Sequence, residues 1–155
     1  MDDGPHGLAG IPRIAGETKL NYENFKSRRL FPGQVAVYMK SVDIHVNDCS
    51  DEECQRYERD FSETDRPAAG ETYGIPYGVL VPRGWDNLWV AGRCVSSDVK
   101  VHGAIRDQPA CFMMGEAAGT AAAQCHRTGQ TALDLDTESL VQTLRSRCGF
   151  FTSAD

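Results

Sequence analysis

The chain has 155 residues, a formal charge of −6, a pI near 5.2 and 41% hydrophobic residues. That is enough for one domain with an ordinary core, and too acidic for a nucleic-acid surface, which needs clustered Lys and Arg. No apolar run of roughly 18 residues is present, so no membrane-spanning helix is expected, and the acidic start MDDGPHGLAG lacks the apolar core of a secretory signal, pointing to the cytoplasm.

Residues 1–12 hold three Gly and two Pro and are expected to be a flexible end. Asn21 predicts the N-cap of a short helix, Tyr22 to Arg28. A turn is expected at Phe31-Pro32-Gly33. Two β-branched stretches, Val35 to Tyr38 and Val42 to His45, read as strands. Residues 47–72 form an acidic insert. Between Asp43 and Asp65 there are nine acidic side chains and two basic ones, the pattern of a solvated loop with one helical turn around Glu53 to Phe61. Its spacing does not match a calcium loop, and no metal site is expected.

Tyr73 to Val81 reads as a strand, with Pro76 at an edge or bulge. Arg83 to Asn87 is a turn. Leu88-Trp89-Val90-Ala91 is a continuous apolar run, as in a parallel strand covered on both faces. A loop carrying Gly103 and Arg106 follows. Pro109 opens a helix that runs to Arg127 and stops at Thr128-Gly129. Gly115, Gly119 and five alanines from Ala117 to Ala123 give that helix a surface of minimal bulk, suited to lie close to a sheet or a cofactor. A last helix starts near Asp136 or Thr137, carries Leu140, Val141 and Leu144 on one face, and ends at Gly149. Cysteines stand at 49, 54, 94, 111, 125 and 148. Without an export signal or a metal spacing they read as reduced and mostly structural.

The runs N-L-W-V-A-G-R-C (87–94), H-G-A-I-R-x-x-P (102–109) and M-G-E-A-A-G-T-A-A-A (114–123) extend over more than thirty residues. With Arg13-Ile14-x-Gly16-Glu17-x-x-Leu20 and Tyr73-Gly74-Ile75-Pro76-Tyr77 upstream, they resemble the C-terminal part of the FAD-dependent oxidoreductase family with a glutathione-reductase-like fold. The resemblance covers roughly residues 11–147. The family's N-terminal GxGxxG turn is not in this sequence. The fold class implied is α/β, as an α+β fragment: the closing strand and helices of a doubly wound FAD domain plus part of a β-rich inserted substrate domain. On that reading residues 13–82 are the partial substrate or cap domain with the acidic loop, 83–149 the C-terminal part of the FAD domain, and 150–155 a tail.

The resemblance implies FAD as cofactor, bound with the missing N-terminal half or with a partner chain that carries GxGxxG; self-association is the other partnership expected. It implies a cofactor contact set of Gly92, Arg93, His102, Gly103, Arg106, Pro109, Ala110, Cys111 and Gly115. Where related flavoproteins often hold the ribityl chain with an Asp, this chain has Arg93. His102 and Arg106 are the catalytic candidates: His102 as a proton carrier near neutral pH or a structural loop residue, Arg106 as the partner of an anionic substrate or the flavin phosphate. Cys111, in the first turn of the Pro109 helix, reads as packing before redox chemistry. Arg13 reads as structural. Tyr73 and Tyr77 line a cavity or cover the sheet. Two alternatives stay open beside an oxidoreductase fragment or small subunit: a non-catalytic interaction subunit, and a remnant that does not bind flavin.

Overall fold

The computed structural model describes residues 12–43, 52 and 66–147. The expectations for residues 1–11, for Ile44 and His45, for the helical turn around 53–61, for Cys49, Cys54 and Cys148, and for Gly149 and the tail lie outside the described residues.

The first helix, α1 (Tyr22–Lys26), forms where its cap dictates. Asn24 N–H donates to Asn21 Oδ1 at 3.0 Å, and Asn21 N–H donates back to Asn24 Oδ1 at 3.4 Å. This reciprocal cap is worth about 1 kcal/mol and starts a helix that buries only Phe25. The Pro32-Gly33 turn, with Gly33 at φ +66°, leads into β1 (Gln34–Tyr38). β1 pairs antiparallel with β2 (Tyr73–Pro76), and a bulge lies between Gln34 and Ala36 opposite Pro76 and Ile75. Proline has no N–H for a ladder, so the bulge at the end of a two-stranded sheet is where it fits. The fold class is α+β.

Four sequence expectations give way among the described residues. The sheet is antiparallel, not parallel. The expected strand from Tyr73 to Val81 breaks at Tyr77 into a single 3-10 turn, Tyr77–Val79. Residues 88–91 form no strand: Leu88 is 38% exposed, Trp89 and Val90 are half-buried, and Val90 N–H donates to Leu80 O at 2.8 Å outside any ladder. An apolar run reports burial, not pairing. The backbone beside it is already taken by residues 14–20. That extended segment threads between 78–83 and 94–98: Ile14 N–H bonds Cys94 O, Glu17 N–H bonds Val81 O, Thr18 N–H bonds Gly78 O and Leu20 N–H bonds Ser96 O. Two isolated bridges, Gly16 with Pro82 and Leu20 with Ser97, are what remains of sheet geometry there. Val42 and Asp43 are irregular, not strand.

The other helices follow their signals more closely. α2 (Val99–Ile105) is capped by Asp98, whose Oδ1 accepts from Val101 N–H at 2.8 Å. α3 (Gln108–Thr128) has Pro109 in its first turn and ends on Gly129 at φ +71°, the left-handed position that glycine adopts without strain. It buries Ala110, Met114, Ala117, Ala121 and Cys125, a stripe at helical spacing. α4 (Thr137–Ser146) is capped by Asp136, buries Leu140 and Leu144, and leaves Val141 half-buried. One hydrophobic cluster joins Leu20, Phe25, Tyr73 and Ile75 with Ile105, Met114 and Leu140. Residues before and after position 82 therefore share a core. Among the described residues no helix is long and apolar enough to cross a membrane, and no three His, Cys, Asp or Glu converge as metal ligands.

Candidate functional site

The predicted site residues gather where a short 3-10 turn, Gly92–Cys94, meets the end of α2 and the start of α3. Gly92 opens that turn at φ +75°. A Cβ there would stand 3.8 Å from Cys111 Sγ, ordinary contact, so the backbone angle and not lack of space calls for glycine. Arg93 is exposed, and its Nε donates to Arg106 O at 3.0 Å. The same carbonyl receives the Cys111 thiol at 3.6 Å. Arg106 closes α2 and thus ties the turn to the first turn of α3. Its own Nη2 donates to Asp43 O at 3.3 Å and lies 3.7 Å from Asp43 Oδ2.

His102 is not a loop residue. It sits on α2, fully buried, because its helix packs beneath the 92–94 turn. Its Nε2 lies 2.9 Å from Arg93 O. A carbonyl only accepts, so Nε2 carries the proton and Nδ1 is a bare lone pair in the neutral ring. Nδ1 is buried and has no hydrogen-bond partner among the described residues. Burial pushes His102 below the usual histidine range; the bond to Arg93 O works against this, and the charges of Arg13, Arg106 and Arg93 add to it. Gly103 also lies inside α2 and is buried, so the loop expected around it is a helix.

At the start of α3, Cys111 N–H makes an intrahelical bond to Asp107 O at 2.9 Å. Proline at 109 has no N–H, which leaves the amides of Gln108 and Ala110 at the helix start. The Asp107 side chain does not cap them. Pro109 is exposed, Ala110 buried and Cys111 half-buried. Burial pushes the Cys111 thiol up, with Asp107 adding to the effect and Arg93 opposing it.

Gly115 does not close on the sheet. It is exposed, and a Cβ at Gly115 or Gly119 would meet nothing within 4 Å. These glycines, with Glu116, Thr120, Ala123, Arg127 and Arg147, line an open cleft of about 280 Å³ on the outer side of α3. Phe112, 70% exposed, stands at the upper end of the same face. The expected contact set therefore splits in two. Arg93, Pro109 and Gly115 are exposed and Gly92, Arg106 and Cys111 half-buried, whereas His102, Gly103 and Ala110 are buried behind them. Tyr73 and Tyr77 line no cavity at this site: Tyr73 packs edge-on against Phe25 and Tyr38 in the core, and Tyr77 OH is bonded to Ala132 O.

A polar group missed in the sequence lies next to the site. Lys40 Nζ is 2.6 Å from Asp107 Oδ2 and 3.6 Å from Asp43 Oδ2. Nothing in the spacing of residues 40, 43 and 107 signals this meeting, because it depends on where β1 ends relative to α3.

The junction combines a positive-φ glycine at the turn, buried nitrogens at His102 Nδ1 and Arg106 Nε that have no hydrogen-bond partner among the described residues, and a long helix whose N-cap side chain does not cap it. The family model described as FAD dependent oxidoreductase matches residues 12–144, and the chain belongs to that family. No curated protein and no solved structure matches the chain.

Proposed function

We propose that this member of the FAD-dependent oxidoreductase family supplies the flavin-facing wall of the enzyme, built from Gly92, Arg93 and the α3 start at Pro109, Ala110 and Cys111. The observation that carries this is the uncapped start of α3 beside Gly92 at φ +75°. Bound there, FAD would supply hydride or electron transfer. The chain's own part is positioning and electrostatics. The first-turn amides of Gln108 and Ala110, which the Asp107 side chain does not cap, and the dipole of a 21-residue helix favour negative charge at this spot, by about 0.3 to 1 kcal/mol or more when water is excluded. Arg93 adds a cation at the rim. Arg106, held by Asp43, fixes the junction between α2 and α3. His102 lies behind the turn and steadies it through Arg93 O.

The adenine and pyrophosphate half of FAD calls for a glycine-rich turn at a helix start. The sequence contains no GxGxxG, so the reading assigns that half to a further segment or to a partner chain. The exposed stripe of α3, with Phe112, Gly115 and Gly119, favours an interaction role in the same assembly: it is the surface that such a segment would cover.

Titration of the chain with FAD and with riboflavin, read by flavin fluorescence quenching, tests the proposal. Weak saturable binding of both ligands is expected, reduced by Arg93→Glu for FAD. A dissociation constant for FAD below about 1 µM would overturn the need for a second nucleotide-binding element. No quenching by either ligand at millimolar chain would overturn the assignment of the wall itself.

A further inference from the structure

Among the described helices, three use their N-cap side chain on their own first turn: Asn21 on α1, Asp98 on α2 and Asp136 on α4. Asp107 stands at the same position of α3, with cap geometry at φ −70° and ψ 157°, and does not. Aspartate is among the best capping residues, so something must hold its carboxylate away. That something is on β1 and just beyond it. Lys40 Nζ lies 2.6 Å from Asp107 Oδ2, and the Tyr38 hydroxyl hydrogen-bonds the same side chain. Lys40 is anchored in turn by Asp43, 3.6 Å away, which also meets Arg106.

We propose that Lys40 is a positioning residue that holds the Asp107 carboxylate off the α3 amides and so keeps this helix start open to an anionic group. The inference deepens the flavin-wall reading and rests on it for the identity of that group. An Asp107 carboxylate swung onto the Ala110 N–H would sit where the anion is to sit and would repel it. With the carboxylate neutralised sideways by Lys40, the helix start keeps both its free donors and its positive end. Loss of Lys40 releases Asp107 to do what Asp98 and Asp136 do.

The test uses the isolated chain and the backbone amide of Ala110. In Lys40→Met, amide NMR is expected to show the Ala110 proton moving downfield and its exchange slowing about fivefold, the factor that one added cap bond supplies. Lys40→Arg, which keeps the cation, should retain the parent behaviour, and Lys40→Met with Asp107→Ala should return the amide to the open state. A Lys40→Met chain with native amide dispersion elsewhere and an unchanged Ala110 signal overturns the inference. If Lys40→Met unfolds, Lys40→Gln carries the same comparison. A riboflavin titration separates the two layers. Slowed Ala110 exchange with weaker riboflavin binding supports both, whereas slowed exchange with unchanged riboflavin binding upholds Lys40 as the holder of Asp107 and overturns the flavin-wall reading.

Discussion

The Trp89 indole N–H donates to the Tyr77 hydroxyl at 2.6 Å, and that hydroxyl donates onward to Ala132 O at 3.0 Å. Burial pushes the Tyr77 phenol up to about 12, although the bond from Trp89 acts in the other direction. The relay joins the 3-10 turn after β2, the half-buried apolar run at 88–91 and the loop between α3 and α4. Tyr77→Phe keeps the ring and removes both bonds. It leaves a Trp89 N–H and an Ala132 carbonyl short of partners, which should cost about 1 to 3 kcal/mol. Urea unfolding followed by Trp fluorescence measures this, and a loss below about 0.5 kcal/mol would mean that water replaces the hydroxyl.

A second expectation concerns pH. His102 has a folded-state value below its ordinary 6.5 because it is buried. Below that ordinary value the unfolded chain gains a proton that the folded chain refuses. Stability from this residue is therefore fully present above about pH 6.5 and falls as pH drops toward the folded value. The difference in melting temperature between the parent chain and His102→Gln should change between pH 7.5 and about 5.5, with the parent losing more on acidification. A difference curve flat across that window would show that His102 is not excluded from protonation.

The glycines of α3 separate two views of that helix. Because a Cβ at Gly115 meets nothing within 4 Å, Gly115→Ala should stabilise the isolated chain, by about 0.5 to 1 kcal/mol through reduced unfolded-state entropy. Gly74 is the contrast: a Cβ there runs into the Gln34 side chain, which accepts from Phe31 N–H, so Gly74→Ala should destabilise. Melting temperatures of the two variants should move in opposite directions. Equal losses would mean that the outer face of α3 is already packed in solution.

Gly92→Ala isolates backbone strain from space. The nearest neighbours of the added methyl stand 3.8 and 3.9 Å away, but φ +75° remains unfavourable for an L-residue. A cost of about 1 to 2 kcal/mol is expected, with Gly92→Asn milder because Asn tolerates this region. Denaturant midpoints for the three chains give the order Gly, Asn, Ala. An Ala chain as stable as the parent would mean that the turn relaxes to negative φ.

The helices were legible because their ends are local chemistry. Asn21, Asp136, Pro109 and Gly129 each act on backbone within a turn of themselves, and all four stand where their types predict. Leu88 to Ala91 misled for the opposite reason. Strand pairing depends on which backbone lies alongside, and here residues 14–20 occupy the edges of 78–83 and 94–98. Gly103 misled because a glycine in H-G-A-I-R reads equally as turn or as helix, and the Asp98 cap decided for helix. The layering around the 92–94 turn, with Arg93 exposed and His102 and Gly103 buried behind it, depends on packing, which no spacing encodes.

The threading of residues 14–20 has a kinetic consequence. Its hydrogen bonds join positions about sixty to eighty apart in the chain, such as Thr18 with Gly78 and Ile14 with Cys94. α3 and α4 can form from neighbouring residues alone, but this segment cannot settle until both of its flanks have arrived. Closure of such distant pairs is the slow kind of folding event. The segment 14–20 is thus expected to lock last, and pulsed proteolysis during refolding should find it open to cleavage after the helices have formed.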